Sequence, residues 1–303
     1  MLDTQTTNTT TTTTATATTM ASSDNTLVFY DIILDPAAYP NGPNPWKTRF
    51  ALNFSKVPYR TAWTPLNAIR STRDSLNLAV SRKHQDGSDF PTLPAIRDPR
   101  PGGGEAVVGD SFDIARHLQD TYLASAPTSA QLFPASGDAA AAAGIVALHR
   151  AFNVLVDQVF SDHGAALAGF YMRFDPRTAA ADKAAMMARM PGELKNLDWE
   201  DLRVAEGSEQ REGMLRGFEA ALDAKLAPCF PGGDGPFMGG RAGPMYADFI
   251  VGGWLQFMRG CLPDPEWDAL RNRWSGGRWG KLFDALQQWN AVDGREGVAP
   301  RRP

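Results

Sequence analysis

The residues with chemical potential concentrate between Phe90 and Leu118, a stretch reading FPTLPAIRDPRPGGGEAVVGDSFDIARHL. Pro94 has no amide hydrogen to give to a ladder, so it suits a strand's first residue or a cis turn, and Leu93 before it then keeps its backbone groups free. Further along, Asp110 or Ser111 caps a helix. A capped helix start collects unpaired N–H groups and a partial positive charge, well suited to a carboxylate. The two features together make a small anion site.

The elements that must position these groups can be read from spacing. Ala95-Ile96 and Ala106 to Val108 are separated by the Pro/Gly cluster Pro99 to Gly104, which predicts a hairpin. The hydrophobic period then changes to about 3.6 through Ile114, Ala115 and Leu118, which predicts a helix. Upstream, Leu27 to Leu34 (LVFYDIIL) reads as a strand buried on both faces. A proline-broken loop, Asp35 to Pro45, leads to an amphipathic helix from Trp46 to Lys56, with Asn44 as N-cap and Pro45 as its first residue. Tyr59 to Thr64 is a second strand, and Leu66 to His84 a helical or irregular connection. The order β-α-β-α-β-β-α, with a right-handed first crossover and a mixed sheet, is that of a thioredoxin-like domain.

Beyond it the pattern is helical. Helices are expected over Ala139 to Phe160, Thr178 to Met190, Glu206 to Leu226, Met245 to Cys261, Glu266 to Trp274 and Trp279 to Trp289. The expected organisation is a disordered Thr-rich tail (1–25), a thioredoxin-like domain (26–123), a linker (124–137), an all-helical domain (138–290) and a loose tail (291–303).

Thr-Leu-Pro followed by Gly-Asp-Ser at a helix start resembles the glutathione-binding half of a glutathione transferase. That resemblance implies a cis bond at Pro94, pairing of the Leu93 backbone with the cysteinyl part of glutathione, and a γ-glutamyl end held by Asp110 and Ser111. PMYADFIVGGWLQF resembles the buried helix of the family's all-α domain. Asp248 matches its capping aspartate, while Met245 stands where a hydroxyl should be, a loss of about 1 kcal/mol. Asp248 is thereby expected to serve folding rather than catalysis.

Such an enzyme must favour the thiolate of glutathione, whose free pKa is about 8.5. GPNPWKTRFALNFSKVPY resembles the fungal and bacterial subset that includes the glutathione-dependent β-etherases, where a Ser-Pro precedes an aromatic-rich helix. Aligning Pro43 with that proline puts Gly42 at the catalytic hydroxyl. Either Asn44 supplies a side-chain N–H, together with the backbone amide of Trp46, or the site no longer activates glutathione; Tyr39 and Asn41 are near enough to substitute. Arg49 faces the ligand or pairs with a carboxylate across the domain interface. Lys83 and His84 stand about where the family positions a polar residue against the glycyl carboxylate. Phe152, Tyr171 and Trp254 are candidate wall residues for an apolar electrophile between the domains.

Composition bounds the alternatives. A net charge of −4 offers no basic footprint for nucleic acid, and two cysteines without CxxC argue against a disulfide framework or dithiol redox chemistry. No metal-ligand cluster stands out. No run of eighteen or more apolar residues is evident, and the N-terminal segment lacks the core of a secretory signal and carries no Lys or Arg before Lys47. The expectation is a cytoplasmic enzyme with glutathione as co-substrate and a small-molecule electrophile as partner. The resemblance adds a homodimer. The alternative is a non-catalytic binding protein of the same fold.

Overall fold

The computed structural model describes residues 26–35, 40, 42–80, 82–83, 87–100, 103–134, 137–188, 190, 192–230, 235–240 and 242–292. The threonine tract lies outside them. Strand β1 (Leu27–Ile33) occupies the middle of a four-stranded sheet with β2 (Tyr59–Pro65) parallel on one side and β3 (Ala95–Pro99) antiparallel on the other. β4 (Glu105–Gly109) completes the order β2-β1-β3-β4, paired antiparallel to β3 with Ile96 opposite Val108. Side chains alternate along β1 as a strand requires: Leu27 and Phe29 enter the main core, while Tyr30 and Ile32 pack with Leu66, Ile69 and Leu93 on the other face.

Helix α1 runs Pro43–Ser55, starting two residues ahead of Pro45, the expected first residue. The reason is that the first-turn N–H groups of a helix have no intrahelical partner, so Pro43 and Pro45 cost the helix nothing there. Helices α2 (Ile69–Ser75) and α3 (Ser111–Leu118) complete a thioredoxin-like domain.

The rest is helical: α4 (Ala139–Val159), a one-turn α5 (Ala165–Ala168), α6 (Ala179–Met187), α7 (Glu209–Ala221), α8 (Tyr246–Cys261), α9 (Asp264–Asn272) and α10 (Arg278–Leu286). Asp138 starts α4 by accepting from the amide of Ala140 at 2.7 Å. Only Arg259 and Gly260 of α8 are not buried, so α8 is the axis of the helical domain. The run from α4 to Tyr171 is long and apolar enough, by length and composition, to cross a membrane. It is nevertheless interrupted by Arg150, Asp157 and Asp162, and Val156, Val159 and Phe160 enter the protein core.

α1 lies directly on α8, and two glycines permit it. A Cβ at Gly253 would stand 2.5 Å from the Pro43 carbonyl oxygen and 2.9 Å from Lys47 Cγ, and one at Gly252 would stand 2.3 Å from Leu286 Cδ1. Two further attachments hold the halves together. The Asp175 amide donates to the Leu34 carbonyl at 2.7 Å, and Asn53 Nδ2 to the Trp289 carbonyl at 2.6 Å. The connection between the halves is also anchored: Leu132 and Phe133 are buried, and the Tyr246 amide donates to the Leu132 carbonyl at 2.8 Å.

Candidate functional site

The Leu93–Pro94 peptide is cis, and among the described residues nothing pairs with the amide or carbonyl of Leu93. The segment before it is held from below by Arg73 of α2, which is buried and donates from Nη1 to the Thr92 carbonyl at 2.8 Å. After it, the Asp110 amide donates to the Pro94 carbonyl at 3.3 Å, bringing the start of α3 beside the proline. Asp110 has φ 76°, a region that favours glycine, and such a residue costs on the order of 1–3 kcal/mol. Its carboxylate caps α3 by accepting from the Phe112 amide at 3.0 Å. Ser111 is the first residue inside the helix, where the dipole end and spare N–H groups favour an anion.

The start of α1 faces this group. Gly42 is its N-cap, and no side chain caps it, so Asn44 is not a cap as its sequence position suggested. The prolines at 43 and 45 remove two amide hydrogens from the first turn, and the Trp46 amide already donates to the Gly42 carbonyl at 3.1 Å. That commitment withdraws Trp46 as a backbone donor to a ligand. Asn44 therefore carries the amide hydrogen of this turn, plus a carboxamide, for which no described residue provides a partner. Tyr39 and Asn41 lie outside the described residues.

Two adjoining hollows meet at Asn44 and Arg82. The smaller, about 180 Å³, is lined by Ile32, Gly42, Ile69, Phe90, Thr92 and Leu93 among others. The larger, about 500 Å³, runs from Asp110 and Ser111 to a wall of α4 made by Arg150, Asn153, Asp157, Gln158 and the following Ser161. Behind that wall Lys47 of α1 is fully buried. Its Nζ donates to Asp157 Oδ1 at 2.5 Å and to Asn153 Oδ1 at 3.0 Å, and Trp254 Nε1 donates to the same Asp157 oxygen at 2.7 Å. Burial pushes the Lys47 pKa below its ordinary value, against the pull of Asp157.

The three expected wall residues are not gathered into one wall. Trp254 stands behind Asp157 and stacks on Phe160 with ring centroids 5.3 Å apart. Phe152 lines a separate apolar hollow on another face of α4. Tyr171 donates to the Val204 carbonyl at 3.0 Å and lies against Arg211, which forms a buried pair with Glu266. Arg49 faces neither the ligand nor the domain interface. It pairs with Asp31 of β1 at 2.6 Å and sits over the Phe29 ring, because the aromatic side chains of β1 and β2 offer a desolvated cation both a carboxylate and π faces. The ion pairs that do cross the interface include Lys47 with Asp157, Arg150 with Asp113 and Arg173 with Asp35. Lys83 is exposed and pairs with Asp89, and His84 lies outside the described residues.

Asp248 is fully buried and accepts from the Met245 amide at 2.8 Å, half of a capping box, and from the Met238 amide at 2.7 Å. Burial pushes its carboxyl up to about 7. It ties the loop before α8 to the helix and lines no part of the cleft.

Sequence reasoning missed Arg82 and the polar side of α4. The latter had a readable signal: Arg150, Asn153, Asp157 and Ser161 recur every three or four residues on an otherwise apolar helix, and such a stripe marks a face turned to water or a ligand. Arg82 had none, since it lies in an irregular connection.

Comparison with known proteins agrees with this two-part fold. Residues 41–121 match the family model described as glutathione S-transferase, N-terminal domain, and residues 147–289 match glutathione S-transferase, C-terminal domain. A glutathione S-transferase of Ceriporiopsis subvermispora, solved in complex with glutathione, is 27% identical over 89% of this chain and 100% of its own, with a TM-score of 0.73. A glutathione transferase from Phanerochaete chrysosporium is 25% identical over 88% of this chain and 98% of its own, with a TM-score of 0.66. A second Ceriporiopsis subvermispora enzyme in complex with glutathione is 25% identical over 86% and 98%, with a TM-score of 0.65. No curated protein matches the sequence significantly.

Proposed function

Because this chain belongs to the glutathione S-transferase superfamily, we propose that it holds glutathione in the cleft between Leu93, Ser111 and Asn44 and turns its thiolate on an apolar electrophile. The reaction is a conjugation or the cleavage of an aryl ether or similar bond, in the manner of the β-etherase-like subset. The observation that carries the reading is the Leu93 backbone, unpaired beside a cis proline and next to the capped start of α3. A tripeptide lying there would pair its cysteinyl backbone with Leu93, beside Pro94, and place its γ-glutamyl carboxylate at Ser111 with its ammonium toward Asp110. Two of the fungal relatives were solved with glutathione bound, which supports the same ligand here.

In this reading Asn44 is the catalytic donor. With no side chain at Gly42, its carboxamide and amide hydrogens are what the first turn of α1 offers a thiolate, and each pKa unit gained is worth about 1.4 kcal/mol. The electrophile enters from the α4 side, and the enzyme acts in the cytoplasm as a homodimer, in detoxification or as a tailoring step in secondary metabolism. A second reading, a glutathione- or hydrophobic-ligand-binding protein without turnover, is favoured by Gly42 and by the two prolines that strip donors from the helix start. Retention on immobilised glutathione, followed by an ultraviolet titration of the bound thiolate, separates them. A thiol pKa clearly below the free value supports the enzyme. Retention with an unshifted pKa selects a glutathione-binding protein, and no retention refutes the enzyme and leaves only the hydrophobic-ligand form of the second reading.

A further inference from the structure

Tyr246, the first residue of α8, brings a hydroxyl to the back of the cleft. Its side chain is fully buried and its amide is tied to the Leu132 carbonyl at 2.8 Å. The Phe112 ring meets the phenol ring edge-on with centroids 5.7 Å apart, and the Phe133 ring lies tilted against it at 5.3 Å. Phe112 directly follows Ser111, so the hydroxyl is held under the first turn of α3 with the Ser111 side chain beside it. No hydrogen bond of suitable geometry reaches that hydroxyl among the described residues. A buried donor left unsatisfied is costly and uncommon, and in a rigid setting it marks a group kept ready for a partner.

Ser111 borders both this hydroxyl and the cleft: it is 4% exposed and lines the larger hollow. Burial pushes the Tyr246 phenol well above the ordinary tyrosine range; Ser111 draws it back, and the carboxylates of Asp110, Asp157 and Asp113 add to the push. The phenol therefore keeps its proton and is a donor. A serine hydroxyl has one hydrogen and two lone pairs. When Tyr246 donates into Ser111 Oγ from behind, the serine hydrogen is left for the cleft, and each bond of the chain polarises the next. A chain that ends in a donor favours a carboxylate in the cleft and gives nothing to a ligand without an acceptor there.

We propose that Tyr246 is a positioning residue: when ligand binds, its hydroxyl donates to Ser111 Oγ and fixes Ser111 as the donor to the γ-glutamyl carboxylate. The inference rests on the glutathione reading of the cleft. The test is Tyr246→Phe in the full chain, which keeps the ring and removes the hydroxyl alone. By titration calorimetry it should weaken glutathione binding about fivefold to tenfold, the usual worth of one hydrogen bond. Binding of cysteinylglycine, which lacks the γ-glutamyl carboxylate, should not change. In a Ser111→Ala background the same exchange should cost no further affinity, because the chain is already cut. The melting temperature of Tyr246→Phe should be unchanged or higher, since an unsatisfied buried donor has been removed. An affinity for glutathione that Tyr246→Phe leaves intact would overturn the proposal and spare the cleft. So would equal losses with and without Ser111, or a lowered melting temperature with both ligands weakened alike, which is the mark of a purely structural tyrosine. Failure of the unaltered protein to bind glutathione would overturn the reading of the cleft and this inference with it.

Discussion

Replacing Gly253 by alanine tests whether the seam between α1 and α8 positions the chemistry. The added methyl would lie 2.5 Å from the Pro43 carbonyl oxygen, 2.9 Å from Lys47 Cγ and 3.2 Å from the Lys47 amide nitrogen. Two of these three neighbours are backbone, so no rotamer change relieves the clash. A carbon and a carbonyl oxygen rest at about 3.3–3.6 Å, so the first turn of α1 must retreat by roughly 1 Å. Overpacking of this kind costs about 1–3 kcal/mol, or a fall in melting temperature of roughly 2–4 °C per kcal/mol in a chain of this size. The displaced turn carries Asn44, and a misplacement of about 1 Å at a reacting centre can cost 10²-fold in rate. Gly252→Ala is the control. Its methyl meets the end of the Leu286 side chain and the Phe50 ring rather than backbone, and none of its nearest neighbours belongs to Pro43. Differential scanning calorimetry and turnover of a chromogenic electrophile with glutathione should show Gly253→Ala losing kcat far more than Gly252→Ala at comparable stability. Equal kcat in the two variants would refute the seam as a positioning device.

The other expectations concern the cleft and its support. Ser111→Ala should weaken glutathione binding roughly tenfold by calorimetry, while Asn44→Ala should lower kcat with little change in affinity; equal losses of both parameters in both variants would mean the roles are misassigned. Lys47→Met should destabilise by about 2–4 kcal/mol in denaturant titration, less than for a fully buried pair because Asp157 is 22% exposed, and adding Asp157→Leu should recover part of it. Asp248, raised to about 7 when folded, binds more protons in the native than in the unfolded state between about pH 4 and 7. Stability should therefore fall as pH rises through that window, by at most about 4 kcal/mol, and Asp248→Asn should flatten the slope in pH-dependent unfolding.

Where periodicity was strong, the elements were legible. The continuous apolar run Leu27 to Leu34 and the long period of α4 emerge in the structure within a residue or two. α1 was started late because Pro43 was assigned to the proline-broken loop, although at the head of a helix a proline has no hydrogen bond to break. Gly252 and Gly253 gave no clue, because close approach of another helix is a property of the partner surface and leaves no mark on local pattern. The same holds for Lys47 and Arg49. Both are basic and only two residues apart in the chain, yet one reaches α4 and the other β1, and only the fold decides which. The cis bond at Pro94 and the Asp110 cap of α3 could be picked out because a proline and a capping residue are both written in local sequence. The aromatic residues could not be assigned to a common wall, since Phe152, Tyr171 and Trp254 serve three different surroundings.

The attachments between the two halves set how the molecule comes apart. The Asp175 amide clasps the end of β1, Asn53 holds the chain near Trp289, and Lys47 is sunk into α4, so the sheet is fastened to the helices at widely separated points. Releasing one fastening leaves the others closed. Melting should accordingly proceed as one cooperative transition, and a fragment ending before α4 should lack the partner surface its first helix was shaped to meet.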